Sequence, residues 1–277
     1  MNSLCRPATP PWRRRRFVIA AGAALAAPVM AQVQVGPASR MRNLVPADEL
    51  EAAATQEYTQ LLAQARQQGA LAPESNPQLQ GLRGIAARLI AQSARWNERA
   101  RTWHWEVNLI GSKQINAFCM PGGKIAVFTG LLRQLQLTAD ETAMVLGHEI
   151  AHALREHARA RIAKSQETGT LLSLGAQILG LGQLGNVAAN IGTQLLTLRF
   201  SREDETDADL VGLELAARAG FNPDAALTLW QKMDRAAGDN GGPAFLSTHP
   251  SGPDRMRRLE QNVPRVRGLY AQAVSRR

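Results

Sequence analysis

The sequence has little cysteine and few aromatic residues. Its 277 residues include two cysteines, Cys5 and Cys119, and Cys5 lies in a segment that we expect to be removed. The single remaining cysteine excludes an intrachain disulfide. The chain also lacks the compositional bias of a fibrous protein, and with 45% hydrophobic residues it is too apolar for a disordered one. We therefore expect a globular chain with a buried core, arranged as one large domain or two small ones.

The N-terminus has the pattern of an export signal. Four arginines at 13–16 precede an apolar run at 17–27, and small residues then lead to Ala31. The run is too short to cross a bilayer, which takes about 20 residues. Residues 1–31 are therefore predicted to be a signal peptide that is cleaved near Ala31 and sends the protein to the periplasm, by the general or the twin-arginine route. The alternative is a basic tail that stays on the protein.

The chain has few acidic residues relative to its arginines, and this excess depends on the N-terminus. A net charge of +9 first suggests a nucleic-acid partner. Removal of residues 1–31 takes away five arginines and no acidic residue, which lowers the net charge to +4. The remaining chain carries no charge excess that demands a polyanion, so we expect no nucleic-acid partner.

Apolar periodicity predicts an α+β chain that is mostly helical. Residues 32–46 are polar and irregular, which indicates a linker before a domain at 47–277. Three strands are predicted at 102–110, 116–120 and 124–128. Helices are predicted at 47–68, 79–96, 138 to about 164, 201–218, 222–238 and from 253 onward. Among their start signals are a capping box at Thr138 and the Asn222-Pro223 pair.

The helix that begins at Thr138 carries His148-Glu149-Ile150-Ala151-His152, an H-E-x-x-H motif. Two histidines four residues apart lie on one helical face, where both imidazoles can bind one zinc ion. Glu149 lies on the adjoining face and can reach a water molecule at the metal. The alternative is a helix with two unrelated surface histidines. The pattern is specific enough to predict a catalytic zinc site.

A third zinc ligand must come from elsewhere in the chain. Ala158 stands where a metzincin has its third histidine, and 168–198 contains no ionisable side chain that could act as a thermolysin-like glutamate. The next acidic cluster offers Glu203, Glu205 and Asp209. Spacing alone leaves these three in competition, with Glu205 slightly ahead. The alternative is that the cluster binds no metal and is the solvated, charged first turn of a helix.

Four ordered motifs give the chain a resemblance to a known family. They are His148-Glu149-x-x-His152, Ser201-Arg202-x-x-Glu205-x-x-Ala208-Asp209, Asn116-Ala117-Phe118 before Pro121-Gly122-Gly123, and Thr248-His249-Pro250 with Arg255. Between about Leu79 and Asn262 the sequence resembles the zinc metallopeptidases that include the CAAX prenyl endopeptidase, the mitochondrial Oma peptidase, the heat-shock protease HtpX and periplasmic relatives such as BepA and LoiP. The resemblance implies a mostly helical zincin (gluzincin) domain with a small β-sheet beside the active helix.

The same resemblance implies roles for individual residues. His148, His152 and Glu205 would bind one Zn²⁺ per chain, Glu149 would act as general base and acid, and Asp209 would orient a ligand. His249 and Arg255 would lie near the open metal position, where they would either stabilise the oxyanion or mask the zinc in a resting state. Residues 123–127 would form the edge strand on which a polypeptide substrate pairs. His104 and His157 are expected at the surface.

The functional prediction is an exported zinc endopeptidase in envelope protein quality control. The alternative is a zinc-containing chaperone or adaptor with little turnover, and the oligomeric state stays open. For 168–198, glycines and amides in the middle favour an amphipathic hairpin over the active-site cleft. Membrane-surface contact and a bilayer span are the alternatives for this segment.

Overall fold

The computed structural model describes residues 33–167, 195, 198–238, 243–250 and 253–276. The predicted signal peptide lies outside the described residues, as does all of the predicted hairpin segment except Leu195 and Leu198. No helix in the described part of the chain has both the length and the apolarity needed to cross a bilayer.

The described elements form a helical domain with one small sheet. Three 3₁₀ turns lie at Arg40–Leu44, Ser93–Arg95 and Glu98–Arg101. The strands are β1 (Glu106–Ile110), β2 (Ala117–Met120) and β3 (Lys124–Phe128). The helices are α1 (Ala47–Gln67), α2 (Pro77–Ile90), α3 (Thr129–Gln134), α4 (Ala139–Leu154), α5 (His157–Glu167), α6 (Arg202–Arg218), α7 (Ala225–Ala237), α8 (Ala244–Thr248) and α9 (Pro253–Val274).

The sheet has the strand order β1-β3-β2, with β3 in the centre. Strand β3 pairs in parallel with β1 and antiparallel with β2. The prediction that 123–127 forms an edge strand is therefore wrong, because both edges of β3 are already paired. The turn at Gly122 and Gly123, each with a φ of 80°, folds β2 back onto β3 and makes β2 one of the two edge strands. Helix α4 packs against β2, so this edge lies beside the H-E-x-x-H motif.

Helices α4 and α6 approach each other more closely than any side chain would permit at their crossing. A Cβ atom on Gly147 would lie 2.8 Å from the carbonyl oxygen of Gly212, and one on Gly212 would lie 2.7 Å from the backbone of Gly147. Glycine at both positions allows the backbones to touch. The contact brings the H-E-x-x-H motif on α4 next to the acidic cluster on α6.

Several predicted boundaries differ from the observed ones. The helix that begins at Thr138 ends at Leu154 instead of continuing to 164, because Glu156 adopts a left-handed conformation with a φ of 57°. Helix α2 stops at Ile90, and β1 begins only at Glu106. Helix α7 begins at Ala225, after an N-cap at Asp224. The short helices α3 and α8 escaped prediction because each spans fewer than two turns.

The described part of the predicted linker, residues 33–46, packs against the rest of the described chain. Val33 and Val45 are buried, and the backbone N–H of Val33 donates a 2.8 Å hydrogen bond to the carboxylate of Glu214. The guanidinium of Arg155 donates to the carbonyl of Gly36 at 2.5 Å. Two apolar anchors and satisfied backbone groups thus hold a polar segment in place. We call residues 33–46 the N-terminal strap.

Candidate metal centre and active site

Helix α4 holds its functional side chains in the interior. Thr138 caps the helix together with Glu141, as the sequence predicted. The helix packs against α2, α6, α7 and β2, so His148, Glu149 and His152 are each no more than 3% exposed. Buried ionisable side chains need partners that compensate for the loss of water.

Four buried side chains point potential ligand atoms at one place. His148, His152, Glu205 and His249 each offer one such atom, and all four atoms lie within 4.8 Å of one another. The Nε2 atoms of His148 and His152 are 3.1 Å apart. The carboxylate oxygens of Glu205 lie 3.5 Å from each of these nitrogens. His249 enters from the loop after α8, with its Nδ1 atom 3.1 Å from Oε1 of Glu205 and 3.3 Å from Nε2 of His148.

The structure separates the three acidic candidates. Glu205 lies in the cluster, whereas Glu203 is exposed on α6. Asp209 stands behind His148, with its Oδ1 atom 3.0 Å from Nδ1 of that ring. Arg255 fixes Asp209 through two hydrogen bonds of 2.6 and 2.8 Å. The pattern Glu205-x-x-x-Asp209 thus places one carboxylate in the cluster and one behind a histidine.

Arg255 is buried beside Glu205 and Asp209. Its guanidinium lies 3.1 Å from Oε2 of Glu205 and stacks over the ring of Trp230, 3.3 Å from the ring centroid. It therefore holds Glu205 and Asp209 in position.

The charges of the cluster are strongly coupled. Burial raises the pKa of Glu205, but hydrogen bonds from His148, His152 and His249 outweigh it and hold that pKa far below its usual range. Burial lowers the pKa of His148, yet its contacts with Asp209 and Glu205 prevail and raise the pKa to about 9. Burial holds the pKa of His152 well below its usual value. Without a metal, the carboxylates therefore favour a proton on His148, which a metal ion would replace.

Glu149 lies between the cluster and strand β2. Burial raises the pKa of its carboxyl group, which increases its affinity for a proton. Its Oε1 atom receives no hydrogen bond from any described residue and lies 3.6 Å from Nε2 of His249. The backbone of Cys119 in β2 approaches the same carboxylate. Glu149 thus faces both the cluster and the edge strand.

His157 is the residue whose location was predicted wrongly. It was expected at the surface, but it is buried behind His152, and the Nδ1 atoms of the two rings are 3.0 Å apart. Its Nε2 atom lies 3.1 Å from Oδ2 of Asp207. On an uninterrupted helix, five residues turn the side chain about 140° away from His152. The break at Glu156 turns the ring of His157 toward His152, and no sequence signal predicted that break. His104 is exposed, as expected.

Comparisons with known proteins agree with this geometry. The model for "Peptidase family M48" matches residues 78–263. The chain is 43% identical over 162 residues to the mitochondrial metalloendopeptidase OMA1 of Schizosaccharomyces pombe, covering 58% of this chain and 47% of that protein. It is 40% identical over 157 residues to the Arabidopsis thaliana protein of the same name, covering 57% of this chain and 31% of that protein.

A bacterial relative matches the same region. The chain is 28% identical over 174 residues to the beta-barrel assembly-enhancing protease of Escherichia coli K12, covering 60% of this chain and 36% of that protein. The matched region thus spans less than half the length of these relatives. The family match covers the strands, the H-E-x-x-H helix, the acidic cluster and His249. The chain therefore belongs to Peptidase family M48.

Proposed function

We propose that the protein is a zinc-dependent endopeptidase that binds one zinc ion per chain through His148, His152 and Glu205. The observation that carries the proposal is the cluster of four buried ligand atoms within 4.8 Å of one another, with Glu149 beside it. A buried group of this kind is costly unless it is compensated by a partner such as a cation. The family membership of the chain supports the same function.

The donor atoms fit zinc in both type and spacing. Zinc prefers imidazole nitrogen and carboxylate oxygen in a tetrahedral arrangement, with bonds that place neighbouring ligand atoms roughly 3.3 Å apart. The distances between the donor atoms of His148, His152 and Glu205 are 3.1 to 3.5 Å. Oε2 of Glu205 accepts no hydrogen bond from the described residues, and the Arg255 guanidinium 3.1 Å away is its nearest positive charge. A metal ion at the centre of the cluster would give that atom a direct ligand bond.

In the proposed reaction, Glu149 moves the protons. When bound, zinc supplies polarisation of the scissile carbonyl and a lowered pKa of the attacking water. Glu149 takes a proton from that water and passes it to the leaving amine, so one carboxylate serves first as base and then as acid. The raised pKa of Glu149 suits this double role, because the group holds the proton between the two steps. Asp209 and Arg255 act indirectly, by fixing His148 and Glu205.

Strand β2 supports a polypeptide as the substrate. An extended peptide can add to an exposed sheet edge through backbone hydrogen bonds. Strand β2 is an edge of the sheet and borders Glu149. A narrow cavity between them is lined by residues of β2 together with Glu149, Leu198, Phe200 and His249. A peptide that paired with β2 would pass its carbonyl groups in front of the cluster.

We infer that His249 masks the metal in a resting state. The inference is supported by its Nδ1 atom, which lies 3.1 Å from Oε1 of Glu205 and 3.3 Å from Nε2 of His148, and by its ring, which stacks on Phe245 at a centroid distance of 4.3 Å. A fourth protein ligand leaves no open position for water, and an open position is what distinguishes catalytic from structural zinc sites. The alternative, in which His249 donates to the oxyanion, requires the ring to move away from Glu205.

The cellular setting is a further part of the proposal. The signal-like pattern in residues 1–31 supports export to the periplasm. The Escherichia coli relative is named for enhancing β-barrel assembly, and we propose a role for this chain in protein quality control of the cell envelope. The mitochondrial names of other relatives offer no support for that location.

Cleavage of fluorescent casein tests the proposed activity. The parent should cleave casein, and Glu149→Gln should lose cleavage by a factor of about 10² to 10⁴, the contribution of a general acid-base group. Glu149→Gln should still bind zinc, since Glu149 is outside the ligand set. If the parent, Glu149→Gln and the unmasked His249→Ala variant all fail to cleave yet all prevent aggregation of an unfolded protein, the chaperone or adaptor alternative is correct.

A further inference from the structure

We propose that His157 is a positioning residue that orients the metal ligand His152 through a relay ending at Asp207. The inference rests on the proposed zinc site, since it concerns a ligand of that site. It assigns a role to a buried histidine and a partly buried carboxylate that the proposed reaction does not use.

The hydrogen bonds of the relay admit one arrangement of protons when zinc is bound. Nε2 of His152 faces the ligand cluster, so its lone pair must be free for the metal, and the ring proton is then on Nδ1. That proton points at Nδ1 of His157, 3.0 Å away, which must accept it. His157 consequently carries its own proton on Nε2 and donates it to Oδ2 of Asp207, at 3.1 Å. Each link fixes the tautomer and the ring plane of the one before it.

The other proposed ligand histidine, His148, is also hydrogen-bonded to an aspartate, but without an intervening histidine. His148 donates directly to Asp209, and Arg255 holds that carboxylate. Asp207, at the end of the His157 relay, is held in the same way by the Nε atom of Arg155 at 2.6 Å. Both imidazoles therefore lead to an aspartate on α6 that is paired with an arginine. Carboxylates behind metal-binding histidines increase ligand basicity and fix ring orientation.

The turn after α4 is built to place His157 at this point. Glu156 adopts its left-handed conformation while its carboxylate pairs with Arg42 and Arg159. Arg42 belongs to the N-terminal strap. A left-handed conformation is unfavourable for a residue with a side chain, so it persists where surrounding contacts impose it. Here those contacts turn the ring of His157 back toward His152, which a continuous helix would not do.

Zinc affinity tests the relay directly. Competition with a chromophoric zinc chelator should show that His157→Ala binds zinc about 10- to 100-fold more weakly than the parent. His157→Gln should stay within about threefold of the parent, because its amide oxygen can accept from His152 and its NH₂ group can donate to Asp207. His104→Ala removes an exposed imidazole and serves as the matched control, with unchanged affinity expected.

Cobalt substitution provides a second readout that a purely structural role would not change. The visible absorption of the Co²⁺ protein should shift in His157→Ala and match the parent in His157→Gln, because the spectrum reports the geometry of the ligands. His157→Phe fills the same space without accepting a hydrogen bond. It should behave like His157→Ala, and it decides the question if His157→Ala does not fold.

The outcomes separate the relay from the zinc site itself. If the folded parent binds no zinc, the proposed function fails. If the parent binds zinc and His157→Ala or His157→Phe binds it equally well with the same cobalt spectrum, the zinc site stands and the relay is wrong. Weak binding in His157→Gln as well would also contradict the relay, since that variant keeps both hydrogen bonds.

Discussion

Glu205 and Glu203 lie two positions apart on one helix and have opposite environments. Glu205 is 3% exposed and its carboxylate faces three imidazoles, whereas Glu203 points to solvent. Glu205→Gln should therefore abolish zinc retention, because a neutral amide is a poor zinc ligand and removes the counter-charge. Glu203→Gln is the matched control and should retain one zinc per chain. Metal analysis of the purified proteins measures both, and loss of zinc in the Glu203 variant alone would mean that the wrong carboxylate was assigned.

His249 is the residue that we propose to control access to the metal. If its ring occupies the fourth ligand position, His249→Ala opens that position, and basal casein cleavage should rise several-fold with zinc retained by the other three ligands. An assay with the purified variant and parent measures the change. A fall in turnover of about 10²- to 10³-fold would identify His249 as an oxyanion donor instead. Unchanged cleavage would exclude both roles.

At the scale of elements, the crossing of α4 and α6 holds the site together. Gly147 precedes His148, and a Cβ atom there would lie 2.8 Å from the Gly212 carbonyl. Gly147→Ala should force the helices apart, lower the free energy of unfolding by about 1–3 kcal/mol and weaken zinc binding, because the ligands are divided between the two helices. Urea denaturation and chelator competition measure the two effects.

Gly84→Ala is the control for that substitution. Gly84 lies on the exposed face of α2, with nothing within 4 Å of an added Cβ atom. Alanine should stabilise this helix by about 0.5–1 kcal/mol and leave zinc binding unchanged. Equal stability changes in the two variants would show that the crossing is not tightly packed.

Local signals explain which elements were predictable. The capping box at Thr138 and the spacing of His148 and His152 depend on neighbouring residues, and both appear in the structure as expected. Local periodicity predicted a helix that continued through Glu156. The carboxylate at the break pairs with Arg42, more than 100 positions away in the sequence, and local periodicity carries no information about such a contact. The burial of His157 is a consequence of that break and was missed for the same reason.

The edge strand was misassigned for a related reason. Alternation identified β2 and β3 as strands, but it carries no information on strand order. The antiparallel return of β2 and the parallel pairing of β1 place β3 in the centre. Strand order depends on long-range pairing, which a single sequence does not reveal.

At the scale of the whole molecule, the N-terminal strap contacts α6 and the turn after α4, which lie more than 100 residues away from it in the sequence. Its composition is polar, and this suggested a linker. Its contacts with Glu214, Arg155 and Arg159 satisfy its backbone groups and join it to the turn behind the site. Spacing also did not decide whether Glu203 or Glu205 is the third zinc ligand. The choice depends on how α6 is rotated against α4, and this is a long-range feature of the fold.

The central claim is that one zinc ion per chain makes this molecule a peptidase, and a zinc titration of casein cleavage tests it most directly. Metal-free protein should be inactive, and cleavage should rise in proportion to added zinc and level off at one equivalent per chain. Such a break point ties the activity to a single site. Cleavage that persists without metal, or that levels off at a different stoichiometry, would contradict the account.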